Sequence, residues 1–160
     1  MTHPSTPPKH FKVVGLVSTG HFLSHFYMLL IPPLFPLLKD EFGIGFTELG
    51  ITITVFSLVT GLTQAPVGFL VDRFGARKIL LCGLLLESAA FIWIGLSPSY
   101  WMLLAMMGVA GLANAVYHPA NYAILNASVQ SGRIGQAFSI HTAAGMLGNA
   151  VAPVTMVLLL

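Results

Sequence analysis

Charge is what this sequence has least of. Of its 160 residues, 7 are Lys or Arg and 5 are Asp or Glu, 8% in all, where a soluble domain carries about a quarter. So few charges cannot coat a water-soluble globule when 56% of the residues are hydrophobic and the mean hydropathy is +0.85. Disorder requires the opposite composition, poor in apolar residues and rich in charge. A single cysteine, Cys82, has no partner in the chain, which excludes a disulfide-stapled scaffold. A net charge of +2 offers no basic surface for nucleic acid. What remains is an integral membrane protein with a handful of spans.

A helix needs about 20 apolar residues to cross the hydrocarbon core. Five stretches meet that length, at about residues 13–38, 46–71, 79–97, 101–123 and 134–160. Polar breaks separate them: Lys39-Asp40-Glu41, residues 72–78, Ser97-Pro98-Ser99 and residues 126–133. Residues 1–12, with Pro4, Pro7 and Pro8, read as a short unstructured tail. The runs are continuous and lack the in/out alternation of barrel strands, so the fold class is all-α integral membrane. The first span is too long for a signal-peptide core, and no A-x-A-like cleavage site follows it.

Basic residues set the expected orientation. With the N-terminus in the cytoplasm, Lys9, Lys12, Arg73, Arg77, Lys78 and Arg133 lie inside and only Lys39 lies outside. The expected location is the cell (plasma or inner) membrane, crossed several times, with the lipid bilayer as constant partner. The fifth span reaches Leu160 without a polar flank, so the chain is expected to be the front portion of a longer protein.

The loop after the second span carries the densest signal, running from Gly68 through Asp72, Arg73, Gly75, Arg77 and Lys78. Gly75 permits a tight reversal, the cations suit anionic headgroups, and Gly68 allows close helix approach. Asp72 is the anomaly, because a carboxylate at a helix C-terminus opposes the macrodipole; it calls for a cation, which Arg73 or Arg77 could supply, or for another helix's N-terminus. An ordinary basic membrane loop accounts for the cations and leaves the acid and both glycines unexplained.

G-x-x-x-D-R-x-G-x-R-K at this place resembles the cytoplasmic signature of the major facilitator superfamily of secondary transporters. Gln64-Ala65-Pro66 and the short outer loop between spans three and four fit as well. His21-Phe22-Leu23-Ser24-His25-Phe26-Tyr27 and Tyr117-His118-Pro119 look like its fosmidomycin-resistance-type efflux branch. The resemblance implies five helices of a six-helix N-terminal half, with the missing C-terminal half as a partner. It also implies that the loop's acid and arginines form a charge relay gripping that opposite half. Three departures stand out: Ala76 where many members have a basic residue, Leu104 where many antiporters have arginine, and only a faint proline–glycine motif in Gly145, Gly148 and Pro153.

Ionisable and polar residues inside spans are costly and are functional candidates by default. His21 and His25 are one turn apart on a face shared with Ser18. Asn114, His118 and Asn121 form a stripe on the fourth span, the fifth carries His141 and Asn149, and the third carries Glu87. At 1.5 Å rise per residue, His21, Glu87, His118 and His141 all lie roughly 10–15 Å from the cytoplasmic end of their helices. A common depth suits a hydrated cavity in which protons are coupled to a small-molecule substrate. Each has a plain alternative: the histidines as hydrogen-bond partners of neighbouring helices, and Glu87 as a structural hydrogen bond. Gly108, Gly111, Ala113, Gly145, Gly148 and Ala152 are expected to serve packing.

The expected function is a portion of a secondary transporter, exporting small molecules with proton coupling by alternating access. Two other classes compete: a homo-oligomeric or non-transporting membrane protein, and a membrane haem protein with His118 and His141 as axial ligands. No nucleophile–base spacing, phosphate loop or H-E-x-x-H motif is present, so neither catalysis, cofactor nor metal is expected.

Overall fold

The computed structural model describes residues 7–96 and 99–160. Seven α-helices occur among them: α1 (Pro7–Met28), α2 (Phe35–Phe42), α3 (Phe46–Phe74), α4 (Ala76–Leu96), α5 (Tyr100–Asn114), α6 (Tyr117–Ser128) and α7 (Ile134–Leu159). They make five segments long and apolar enough to cross a membrane: Phe11–Phe42, Phe46–Phe74, Ala76–Leu96, Tyr100–Ser128 and Ser131–Leu159. The protein is an all-α, multi-pass membrane protein.

Prolines account for most of the differences from the sequence reading. Residues 7–12, expected as tail, already belong to α1, because a proline in the first turn forfeits no hydrogen bond. Residues 1–6 of that expected tail, and Ser97 and Pro98 of the third break, lie outside the described residues. The first span is broken after Met28 and resumes through a 3-10 turn at Pro32–Leu34, where Pro32 and Pro33 have no N–H to continue the ladder. The fourth span is broken at Ala115 and Val116 and then continues to Ser128, beyond its expected end. Pro119 sits in the first turn of α6. It cannot donate to the Ala115 carbonyl and its ring crowds that group, so the helix restarts at Tyr117. The third helix of the fold, α3, absorbs Asp72, Arg73 and Phe74. The expected seven-residue loop contracts to Gly75, whose φ of +92° strongly favours glycine.

Burial is inverted relative to a soluble protein. Leu62, Phe69, Leu85 and Leu158 are each more than 70% exposed, whereas Thr52, Glu87 and Asn121 are 0% exposed and His141 1%. Apolar side chains face outward because the surrounding medium is lipid, and the polar groups turn inward to find partners. Three apolar clusters hold the bundle. One joins Leu49, Phe56, Ala90, Leu103 and Met107 of α3, α4 and α5. The second joins Val67, Val71, Leu80, Tyr117 and Ala120, and the third Val14, Val17, Leu125, Val129 and Ala137. Helix α1 packs chiefly on α7, and α5 lies between α3 and α4. At Gly111 a Cβ atom would stand 2.5 Å from the Phe56 carbonyl oxygen, so only glycine lets α5 approach the α3 backbone this closely.

Candidate functional site

The i, i+4 spacing of His21 and His25 sends both imidazoles from α1 toward α7. There Gly145 and Gly148 leave room for them: a Cβ at Gly145 would lie 2.6 Å from His21 Cε1. His21 Nδ1 donates to the His141 carbonyl at 2.8 Å, and its ring stacks on that of His141 with centroids 3.8 Å apart. His25 Nδ1 meets Asn149 Oδ1 at 3.1 Å, and the two Nε2 atoms of His21 and His25 are 3.1 Å apart. His118 approaches from α6, its ring centroid 5.2 Å from that of His21. Asn121 Nδ2 donates to His141 Nε2 at 3.1 Å. Four histidines from three helices thus share one interior cluster.

A second polar group adjoins it. Glu87 of α4 accepts a hydrogen bond from the Tyr117 hydroxyl at 2.6 Å and one from Asn114 Nδ2 at 3.2 Å. The break between α5 and α6 turns these two donors onto one carboxylate from helices that would otherwise be continuous. Among the described residues no cation reaches Glu87, so neutral dipoles alone hold it.

Tyr117, Asn114, His118, His25, Ser24, Thr60 and Gln64 line a cavity of about 240 Å³ between α1, α3 and the α5–α6 break. An adjoining groove of about 440 Å³ runs along α3 past Gln64 and Gly68 to Pro119 and Tyr122. The eight polar candidates inside the spans therefore meet in one region: His21, His25, His118, His141, Asn121 and Asn149 in the histidine cluster, Glu87 and Asn114 beside it. Tyr117, Ser24 and Gln64 are additions. Tyr117 is three residues from Asn114 and on its face, a spacing that identifies it once the tyrosine is counted as polar.

The signature loop stands apart, at the end of α3 and the start of α4. Asp72, Arg73, Arg77 and Lys78 are exposed, and Arg73 lies over the Phe74 ring. Among the described residues neither Arg73 nor Arg77 pairs with Asp72, so the cationic partner that the sequence offered is not observed, and all three side chains are exposed. A Cβ at Gly68 would touch nothing within 4 Å. Its role in close helix approach is therefore not observed, and it lines the open groove instead. Gly108 likewise makes only ordinary contact, with Val55 at 3.5 Å.

The geometry disfavours axial haem ligation by His118 and His141. The Nε2 atom that His141 would offer is engaged by Asn121, and the His21 ring covers its face.

Comparison with known proteins gives a consistent picture. The family profile described as Major Facilitator Superfamily matches residues 17–160. The fosmidomycin resistance protein of Escherichia coli (strain K12) is 27% identical over 143 residues, covering 89% of this chain and 35% of that protein. The MFS-type transporter YfnC of Bacillus subtilis (strain 168) is 27% identical over 150 residues, covering 94% and 36%. The multidrug resistance protein MdtH of Enterobacter sp. (strain 638) is 26% identical over 110 residues, covering 66% and 27%. The chain spans about a third of the length of the first two relatives.

Proposed function

The chain belongs to the Major Facilitator Superfamily, and on that premise we propose that it supplies the first five spans of a proton-coupled transporter exporting small molecules. The observation that carries this reading is Glu87, fully buried yet bonded to Tyr117 and Asn114, two residues that also line the cavity. A carboxylate held only by neutral donors loses its buried charge when it takes a proton. Ligand in the cavity meets the same Tyr117 and Asn114, so proton and ligand compete for, or share, one set of hydrogen bonds.

Alternating access supplies the transport cycle, with this bundle rocking against a further bundle of the same protein. The exposed Asp72 and its neighbouring arginines are the charges that such a second bundle grips. Six basic residues of seven lie on the side assigned to the cytoplasm, which supports an N-terminus inside and residence in the cell membrane. Relatives named for fosmidomycin and multidrug resistance support export as the direction.

The test uses the full-length protein in proteoliposomes with an imposed pH gradient and a pH-sensitive dye inside. A panel of small organic anions and amphiphiles is added, and substrate-driven proton movement is expected for a subset. Proton flux that no compound alters, or transport that persists unchanged when the gradient is collapsed, overturns proton coupling.

A further inference from the structure

The His21–His25 pair has an unusual electrostatic arrangement. A carbonyl oxygen only accepts, so His21 Nδ1 carries a hydrogen and its Nε2 presents a lone pair. Asn149 Oδ1 likewise accepts from His25 Nδ1, which leaves the His25 Nε2 a lone pair as well. The two Nε2 atoms nevertheless face each other at 3.1 Å. Two lone pairs at that distance repel unless a cation lies between them.

Three observations favour a metal ion over a shared proton. A ring nitrogen of a third imidazole, His118, completes a set in which all three ligand atoms lie within 4.8 Å of one another. His118 Nδ1 is buried and has no hydrogen-bond partner among the described residues. Finally, metal-bound histidines characteristically donate their other ring N–H to a carbonyl or carboxylate, which fixes the tautomer. His21 does so to a backbone carbonyl and His25 to an amide oxygen.

We propose that His21, His25 and His118 form a binding site for a divalent transition-metal ion, zinc in the first instance, at the edge of the cavity. This goes against the sequence expectation of no metal. Imidazole suits zinc, copper and nickel, whereas calcium and magnesium require oxygen ligands. With Zn–N bonds of about 2.0–2.1 Å, tetrahedral ligand atoms lie about 3.4 Å apart. The His21–His25 pair is already close to that spacing, and His118, at the cavity wall, closes the remainder by rotating its ring inward. Because three neutral imidazoles leave the dication its full charge, the ion takes an anion from the cavity as its fourth ligand. The site stands whether or not the protein moves protons.

The experiment is equilibrium dialysis of the purified full-length protein in detergent against Zn²⁺, after chelator washing, with metal counted by atomic emission. Co²⁺ serves as a spectroscopic probe, because four-coordinate Co²⁺ gives intense visible bands. One ion per chain is expected. Asn149→Ala weakens binding about 10–100-fold, as loss of an orienting partner does, and His25→Gln or His118→Gln weakens it further. A His3→Ala, His10→Ala variant, which keeps His141 and the three proposed ligands, retains full affinity. Size-exclusion profiles confirm that each variant is folded. Absence of Zn²⁺ and Co²⁺ binding overturns the site and leaves a shared proton between the rings. Binding equal in the parent and in His25→Gln, or lost with His3 and His10, also overturns it.

Discussion

Replacing Gly145 with alanine tests whether the histidine cluster depends on the space left by α7. The new Cβ would stand 2.6 Å from His21 Cε1, 2.7 Å from His21 Nδ1 and 3.0 Å from His25 Cδ2. Ordinary contact begins near 3.4 Å, so the His21 ring must retreat by about 0.8 Å from α7. His141, whose carbonyl receives His21 Nδ1 at 2.8 Å, is on the same helix. The retreat lengthens that bond to about 3.6 Å, beyond useful hydrogen-bonding range. Losing the bond costs about 0.5–1.5 kcal/mol and the overpacking about 1–3 kcal/mol. Alanine's better helix propensity returns up to about 1 kcal/mol. A net loss of about 0.5–3.5 kcal/mol is expected. Gly108→Ala is the control, since its Cβ meets only Val55 at 3.5 Å and it gains the same propensity. Thermal loss of monodisperse protein in detergent measures the first effect, and Zn²⁺ affinity measures the displacement of His21. If Gly145→Ala and Gly108→Ala match in both assays, the close packing of α7 on the cluster is refuted.

Further outcomes follow from the same geometry. Glu87→Gln retains an acceptor for Tyr117 and should leave folding intact while removing the response of transport to a pH gradient, measured in proteoliposomes; a gradient response like the parent's counts against Glu87 as the proton site. Tyr117→Phe leaves Glu87 Oε2 without its donor and should lower stability by about 1–3 kcal/mol, which a thermal unfolding comparison with Tyr122→Phe checks. Asp72→Asn in the full-length protein should reduce transport while membrane insertion, followed by fractionation, stays normal. Undiminished transport removes the gating role.

Span number and helical class were legible because lipid imposes length and apolarity on any segment that crosses it. The polar interior was legible in part, since each His, Asn or Glu in an apolar run announces itself. Periodicity alone treated Asn114, His118 and Asn121 as one stripe on one helix. The break before Tyr117 divides that stripe: Asn114 turns to Glu87, Asn121 to His141, and His118 to the cavity. A proline such as Pro119 inside an apolar run marks a break in the helix, but which neighbours the freed segment meets is decided by α1, α4 and α7, distant in sequence. Tyr117 escaped because an aromatic ring reads as apolar until its hydroxyl has a partner. The turn at Gly75 was legible as a reversal, whereas the continuation of α3 through Asp72 and Arg73 was hidden by their charge.

The single-residue turn at Gly75 has a mechanical consequence. A joint of one residue has no slack, so α3 cannot slide along its axis without carrying α4. The two helices move as a jointed pair whose corner is formed by Asp72 and Arg77. A pull on that corner runs along α3 past Pro66 toward Gln64 at the cavity wall, and along α4 toward Glu87 beside it. Lengthening the joint by two or three glycines after Gly75 would loosen the coupling between the two arms.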